Sequence, residues 1–321
     1  MSALKDRVVV VTGAGRGLGR AYALDLAARG AWVVVNTRPR PADAPGSAEA
    51  VVAEIEARAG RAVAAPVAVE DADSGERLLA VALDAFGRID GLLNNAGAPE
   101  ASTLHKQTAE EFRANFEVNF FGTLTPTLPI YRHMRENGGG RILVSTSTAG
   151  LHGVHGMAAY SASKAGLIGL MRVIALEGAS RNVAANAIAP FADTGMTGEY
   201  LSPEQAARLS PDRVAPVASW LMSPDCPFTG ETVTAGAGGV RLAARVEGEA
   251  QWLPDGFGPD DLAARVDALK APGGWRDYPE GMAAFAHLMA GGPARQGCDG
   301  AQGGAEGRDE HGLPPNFQLR H

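Results

Sequence analysis

Residues 7–19, RVVVVTGAGRGLG, constrain the fold of this 321-residue chain more than any other stretch. Four successive valines read as a strand buried on both faces, which a parallel sheet covered by helices requires. Glycines follow at once, and residues 20–29 read as a helix stopped by Gly30. Strand, glycine turn and helix in that order form a phosphate-binding arrangement. Glycine lets the backbone approach a pyrophosphate, and the helix N-terminus offers N–H groups and positive dipole. Without the flanking elements the glycines would mark only a tight turn.

The pattern recurs along the chain. Strands are predicted at 31–36, 62–69, 89–94, 141–146, 183–188 and 231–235, with helices at 47–60, 72–86, 108–136, 158–180 and 212–222. This alternation predicts the α/β class: a Rossmann-like, doubly wound parallel sheet of about seven strands with a C-terminal extension. Residues 1–240 are expected to form a dinucleotide-binding catalytic domain. Residues 241–290 read as a helical extension with candidate helices at 259–270 and 279–289. The glycine-rich, polar stretch 291–321 reads as a flexible tail.

The net charge of −7 argues against nucleic acid, whose phosphates need a basic surface. No run of about 18 apolar residues suggests a membrane span. Residues 1–13 run into a strand without the apolar region of a secretory signal. The two cysteines, Cys226 and Cys298, are far apart in no metal-like spacing, which fits a reducing compartment. The cytoplasm is therefore the expected location. His152 and His155 form an HxxH pair, but no suitable third ligand adjoins it, so no metal is expected.

The end of the second strand bears on cofactor choice. An acid there suits the ribose 2′-hydroxyl of NAD, and an arginine suits the 2′-phosphate of NADP. The chain offers Asn36, Thr37 and Arg38, with Arg40 and Arg16 nearby and no carboxylate at the strand end. Guanidinium groups can meet a phosphate in bidentate fashion, so NADP(H) is favoured over NAD(H). Further along, Asn94, Asn95 and Gly97 fall at the end of the fourth strand, and Asn119 lies in an apolar helical stretch. Ser147 follows the fifth strand. Tyr160 and Lys164, four apart, share one face of a helix. A hydroxyl, a phenol and an ammonium can thus converge at the C-terminal end of the sheet, where such folds bind ligands.

Thr12-Gly13-x-x-x-Gly17-x-Gly19, Asn94-Asn95-Ala96-Gly97, Asn119, Ser147 and Tyr160-x-x-x-Lys164 occur here in that order. This combination resembles the short-chain dehydrogenase/reductase family in its classical branch, over residues 5 to about 240. GLGRAYAL, ALDAFGRID, NAIAP and the late AGAGG are similar to its (3R)-hydroxyacyl-CoA dehydrogenase subgroup, which also continues into a C-terminal extension. Thr37-Arg38 departs from that subgroup's aspartate and resembles NADPH-using carbonyl reductases. Ala68 stands where the family often carries an aspartate near adenine.

The resemblance implies hydride transfer between NADP(H), or alternatively NAD(H), and a ketone or secondary alcohol. Tyr160 would be the acid/base and Ser147 would hold the substrate oxygen. Lys164 would bind the nicotinamide ribose and help lower the Tyr160 pKa, and Asn119 would position Lys164. A tyrosine moved from about 10 to about 7 needs roughly 4 kcal/mol of preferential phenolate stabilisation. The cofactor would meet Thr12, Gly13, Arg16, Gly17, Leu18, Gly19, Thr37, Arg38, Val69, Asn95, Ala96, Gly97, Tyr160, Lys164 and Pro190. The expected substrate wall, residues 98–106, 152–157 and 191–200 with the extension, carries His105, His152, His155, Met157, Phe191, Met196 and Tyr200. That set suits a hydrophobic carbonyl or alcohol. A homodimer or homotetramer is implied. The alternatives are an NAD-dependent (3R)-hydroxyacyl thioester or hydroxysteroid dehydrogenase and a non-catalytic dinucleotide sensor.

Overall fold

The computed structural model describes residues 4–192, 202–253, 256, 258–271 and 273–290. In chain order it runs β1 (Val8–Val11), α1 (Gly17–Ala28), β2 (Trp32–Thr37), α2 (Ala48–Glu56), β3 (Arg61–Pro66), α3 (Ser74–Phe86) and β4 (Gly91–Asn94). Then follow α4 (Ala109–Phe116), a π turn (Glu117–Phe121), α5 (Gly122–Glu136), β5 (Gly140–Ser145), α6 (Thr148–His152), α7 (Ala158–Gly178) and β6 (Val183–Phe191). After these come α8 (Pro203–Arg208), α9 (Ala215–Met222), β7 (Thr232–Gly236) and β8 (Gly239–Leu242).

The strands form one sheet in the order β3-β2-β1-β4-β5-β6-β7-β8. All neighbouring pairs are parallel except β7 and β8. Between β1 and β4 the winding reverses direction, so the loops after these strands diverge and open a crevice at their C-terminal ends. The valine run explains the two-layered cover. Val9 and Val11 join Val33 and Val35 in one apolar cluster, and Val8 and Val10 join Val34 in the other. Alternate side chains of a strand face opposite ways, so a strand with a helical layer on each side is apolar throughout.

Helix α7 packs Leu167, Met171 and Ile174 into the second cluster. By length and composition, residues 158–181 could cross a bilayer, contrary to the expectation from the sequence, but this buried stripe holds α7 against the sheet. The eighth strand was also not expected. It is an antiparallel hairpin closed by Ala237 and Gly238, both at positive φ. Such a two-residue turn matches the natural strand twist. All four β8 residues are exposed, so the strand buries no apolar side chain. Strand β6 runs on to Phe191, three residues past its expected end, pairing Pro190 with Ala235.

The chain divides after Ala244 into two compact units. In the second, the expected helix at 259–270 is two short ones, α10 (Pro259–Ala263) and α11 (Val266–Lys270), before α12 (Gly281–Ala290). Within it Glu247 and Arg276 exchange backbone hydrogen bonds, and Tyr278 lies against His287. The tail at 291–321, with Cys298, lies outside the described residues.

Candidate active site

The turn after β1 is locked to the end of β4 by paired polar groups. The buried Thr12 hydroxyl accepts from the backbone N–H groups of Asn95 and Ala96, at 3.0 and 3.1 Å. The Asn95 amide donates to the carbonyls of Thr12 and Gly13. Gly19 permits this closeness: a Cβ there would run into the Gly13 carbonyl and the Asn95 amide. Gly13 and Gly17 both have positive φ. Arg16 is the N-cap of α1 and makes no side-chain capping bond, so the first N–H groups of the helix stay open to an anion. Leu18 packs against the apolar core beneath. This donor set fits a dinucleotide pyrophosphate.

Across the crevice, Asn119 is sealed from solvent. Its amide donates to the carbonyls of Ala98 and Asn115 and to the Asn115 side chain, and its Oδ1 accepts from the Ala98 N–H at 3.1 Å. It lies in the π turn, an i→i+5 irregularity often found at functional sites. Gly97 is pressed against this group: a Cβ would stand 2.7 Å from Asn119 Oδ1 and 3.2 Å from Lys164 Nζ. Lys164 is buried on α7 and donates to the Ser145 carbonyl at 2.8 Å. Burial lowers its pKa to about 8. Thr146 donates to the Lys164 carbonyl at 2.7 Å, fixing that turn of the helix to the end of β5.

Ser147 caps α6, its hydroxyl accepting from the Ala149 N–H, and that hydroxyl faces the Tyr160 phenol. Burial pushes the Tyr160 pKa up, and the neighbouring Ser147 hydroxyl partly offsets that. The expected lowering by Lys164 is not seen. The Lys164 Nζ stands 5.8 Å from the phenol ring centroid and is held at the Ser145 carbonyl. In the protein alone, desolvation of the phenol outweighs any help from the ammonium.

Thus Ser147, Tyr160, Lys164 and Asn119 meet at the C-terminal ends of β4 and β5, with Gly97 packed between the last two. Asn115 was missed from the sequence. It accepts from Asn119 and, at 3.3 Å, from Ser163, which also donates to the Tyr160 carbonyl. It therefore ties α4 to α7 near the Tyr160 backbone. Its only sequence signal was an amide one helical turn before Asn119.

The strand-end residues are less closely gathered. Thr37 is buried and donates to the Arg38 carbonyl. Arg38 pairs with Glu70 at 2.7 Å, and Arg40 bonds the Pro45 carbonyl in its own loop. Arg16 is exposed. Val69 is buried with its carbonyl accepting from Ser74, and Pro190 is half-buried in β6. Two of the expected substrate walls touch: the Ser102 N–H donates to the Gly156 carbonyl at 2.8 Å, and Ser102 bridges to Met157. His105, His152 and His155 are exposed on them. Met196 and Tyr200 lie outside the described residues.

Known proteins resemble this chain in sequence and fold. The short chain dehydrogenase family model matches residues 7–205. A short-chain type dehydrogenase/reductase of Mycobacterium tuberculosis is 41% identical over 269 residues, covering 83% of this chain and 94% of that protein. Mouse peroxisomal multifunctional enzyme type 2 is 41% identical over 238 residues, 73% of this chain but 32% of the mouse protein. The structure of the full-length Drosophila melanogaster enzyme of that name superposes with a TM-score of 0.76 at 30% identity, covering 89% of this chain and 49% of that one. The chain belongs to the short-chain dehydrogenase/reductase family and is an NAD(P)-dependent oxidoreductase acting on CH–OH groups.

Proposed function

We propose that the protein transfers a hydride between NADP(H) and a hydrophobic ketone or its secondary alcohol. One observation carries this reading: the half-buried Tyr160 phenol and the Ser147 hydroxyl stand by the buried Lys164, whose Nζ is 5.8 Å from the phenol ring centroid, on a fold with an anion-ready glycine turn. When bound, the nicotinamide supplies or accepts the hydride. Ser147 holds the substrate oxygen, and Tyr160 gives that oxygen its proton as the carbonyl carbon becomes tetrahedral. A phenol pushed up by burial stays protonated at neutral pH, which suits it as the acid of ketone reduction. Lys164 meets the nicotinamide ribose, and Asn119 keeps Lys164 in place. Arg38 and Arg16 meet the 2′-phosphate. The exposed apolar side chains of Leu104, Val154 and Phe191, on the proposed substrate walls, favour a hydrophobic substrate.

The test is a panel of aliphatic, aromatic, steroid-like and acyl-thioester ketones with their alcohols, each assayed with NADPH, NADP, NADH and NAD. Turnover of hydrophobic ketones with a preference for NADPH is expected. No oxidation of either reduced cofactor by any of them would overturn the reading.

The Arg38–Glu70 pair favours a second reading, because it leaves less positive charge for a 2′-phosphate. With the resemblance to (3R)-hydroxyacyl-CoA dehydrogenases, it supports an NAD-dependent enzyme of acyl thioesters. Preference for NADH and for the thioester arm of the panel would select it. Exposed Phe121 and Leu128 on the π turn and α5, with Val173 and Leu176 on α7, support a homodimer or homotetramer. Light scattering that gives a monomer mass would refute that. The cytoplasm is the proposed location, on the sparse cysteines, and a fluorescent fusion concentrated in an organelle would overturn it.

A further inference from the structure

Arg38 and Glu70 come together because β2 and β3 are held tightly at their ends. Thr37 pairs with Pro66, and the buried Asn36 amide donates to the carbonyls of Ala65 and Val67, at 2.9 and 2.8 Å. The chain then turns, with the Asp71 N–H donating to the Ala68 carbonyl. Asp71 itself pairs with Arg77, leaving Glu70 as the carboxylate on Arg38. Glu70 Oε1 lies 2.7 Å from Arg38 Nη2, while Oε2 is buried with no hydrogen-bond partner among the described residues.

We propose that Glu70 is a specificity-determining residue: its carboxylate competes with the 2′-phosphate of NADP for Arg38 and so narrows the preference for NADP over NAD. This rests on the reading of Arg38 as the 2′-phosphate contact. The arginine side chain is 56% exposed and the glutamate 29%, so the pair is breakable rather than locked. A phosphate dianion offers the guanidinium a stronger bidentate partner than one carboxylate oxygen. Capturing it, however, strips Glu70 of its cation while Oε2 already lacks a donor, and an uncompensated, partly buried carboxylate is costly. The displaced carboxylate also stays near the incoming dianion and repels it. NAD, with only a hydroxyl at that position, leaves the pair intact.

The test is calorimetric titration of the full chain with NADP and with NAD, without substrate. It compares wild type, Glu70→Gln, Glu70→Asp, Arg38→Gln and the Glu70→Gln/Arg38→Gln double variant. Glu70→Gln should tighten NADP by roughly 3- to 10-fold and change NAD less than about 2-fold, with the gain shrinking as salt is raised. Glu70→Asp should restore much of the wild-type ratio. Glu70→Ala carries the same expectation if Glu70→Gln gives no folded protein. Arg38→Gln should weaken NADP selectively and cancel the gain in the double variant. If Arg38→Gln lowers the NADP/NAD ratio while removing the Glu70 carboxylate leaves it unchanged, the competition is refuted and the cofactor reading survives. If the gain persists without Arg38, Glu70 acts by repulsion alone and the competition is likewise refuted. If Arg38→Gln leaves the ratio unchanged, Arg38 is not the 2′-phosphate contact, and both ideas fall together.

Discussion

Asn119 and Lys164 are sealed from solvent and spend their hydrogen bonds on backbone carbonyls, whereas Arg38 is exposed and pairs with a carboxylate it can exchange. The two ends of the crevice therefore differ in how firmly they are held. Displacing a buried, satisfied amide leaves several groups unpaired, at about 1–3 kcal/mol each. Breaking a wet ion pair costs about 1 kcal/mol or less. The reaction end is built to keep one geometry. The end proposed to select the cofactor is built from groups that one substitution can re-pair, so on that proposal cofactor preference can change without disturbing the chemistry.

The sharpest way to break that contrast is at the phenol. Tyr160→Phe removes one oxygen from the reaction end and nothing from the glycine turn. Turnover should fall by about 10²- to 10⁴-fold while NADP still binds with near wild-type affinity. A variant with full turnover would remove Tyr160 from the chemistry, and lost binding would show that the two ends are not separable.

The next effect is smaller and tests how tightly the reaction end is packed. Gly97→Ala puts a methyl group 2.7 Å from Asn119 Oδ1 and 3.2 Å from Lys164 Nζ. Overpacking a buried site costs typically about 1–3 kcal/mol. We expect a 10- to 100-fold loss in kcat, in order-of-magnitude terms, with a lower urea midpoint. At the other end, Arg38→Gln should shift that midpoint by less than about 0.5 kcal/mol in stability. Equal stability losses at both sites would erase the distinction.

The difference between the ends also governs what could be read from the chain alone. Four valines in a row specify a strand covered on both sides, and Val8 to Val11 do divide between the two apolar clusters. Tyr160 and Lys164 share a helical face by spacing alone, so their convergence was legible. Asn115 was not, because its partner Ser163 lies 48 residues away. Nor was the partner of Arg38, which depends on how two neighbouring strands end. The upward push on Tyr160 arises from burial, a tertiary property that spacing does not encode. Strand β8 escaped because its residues are all exposed and only a two-residue turn with positive φ announces it.

The last prediction measures the seal around Lys164 directly. A lysine ordinarily titrates at 10.5, and burial brings Lys164 to about 8. Between these values the unfolded chain holds a proton that the folded protein has released. The free energy of unfolding must therefore rise with pH in that window, because a buried ammonium penalises the fold below pH 8 and a neutral amine does not. From pH 8 to 9.5 the gain should be about 1–2 kcal/mol. The range stops below the ordinary tyrosine pKa of about 10, so that the raised Tyr160 phenol, which acts in the opposite sense above it, does not enter. Urea unfolding of wild type and Lys164→Met across that range isolates the contribution as the difference between the two curves. A flat difference would mean that Lys164 is as well hydrated as Arg38, and that the proposed reaction end is no more closed to water than the end proposed to choose the cofactor.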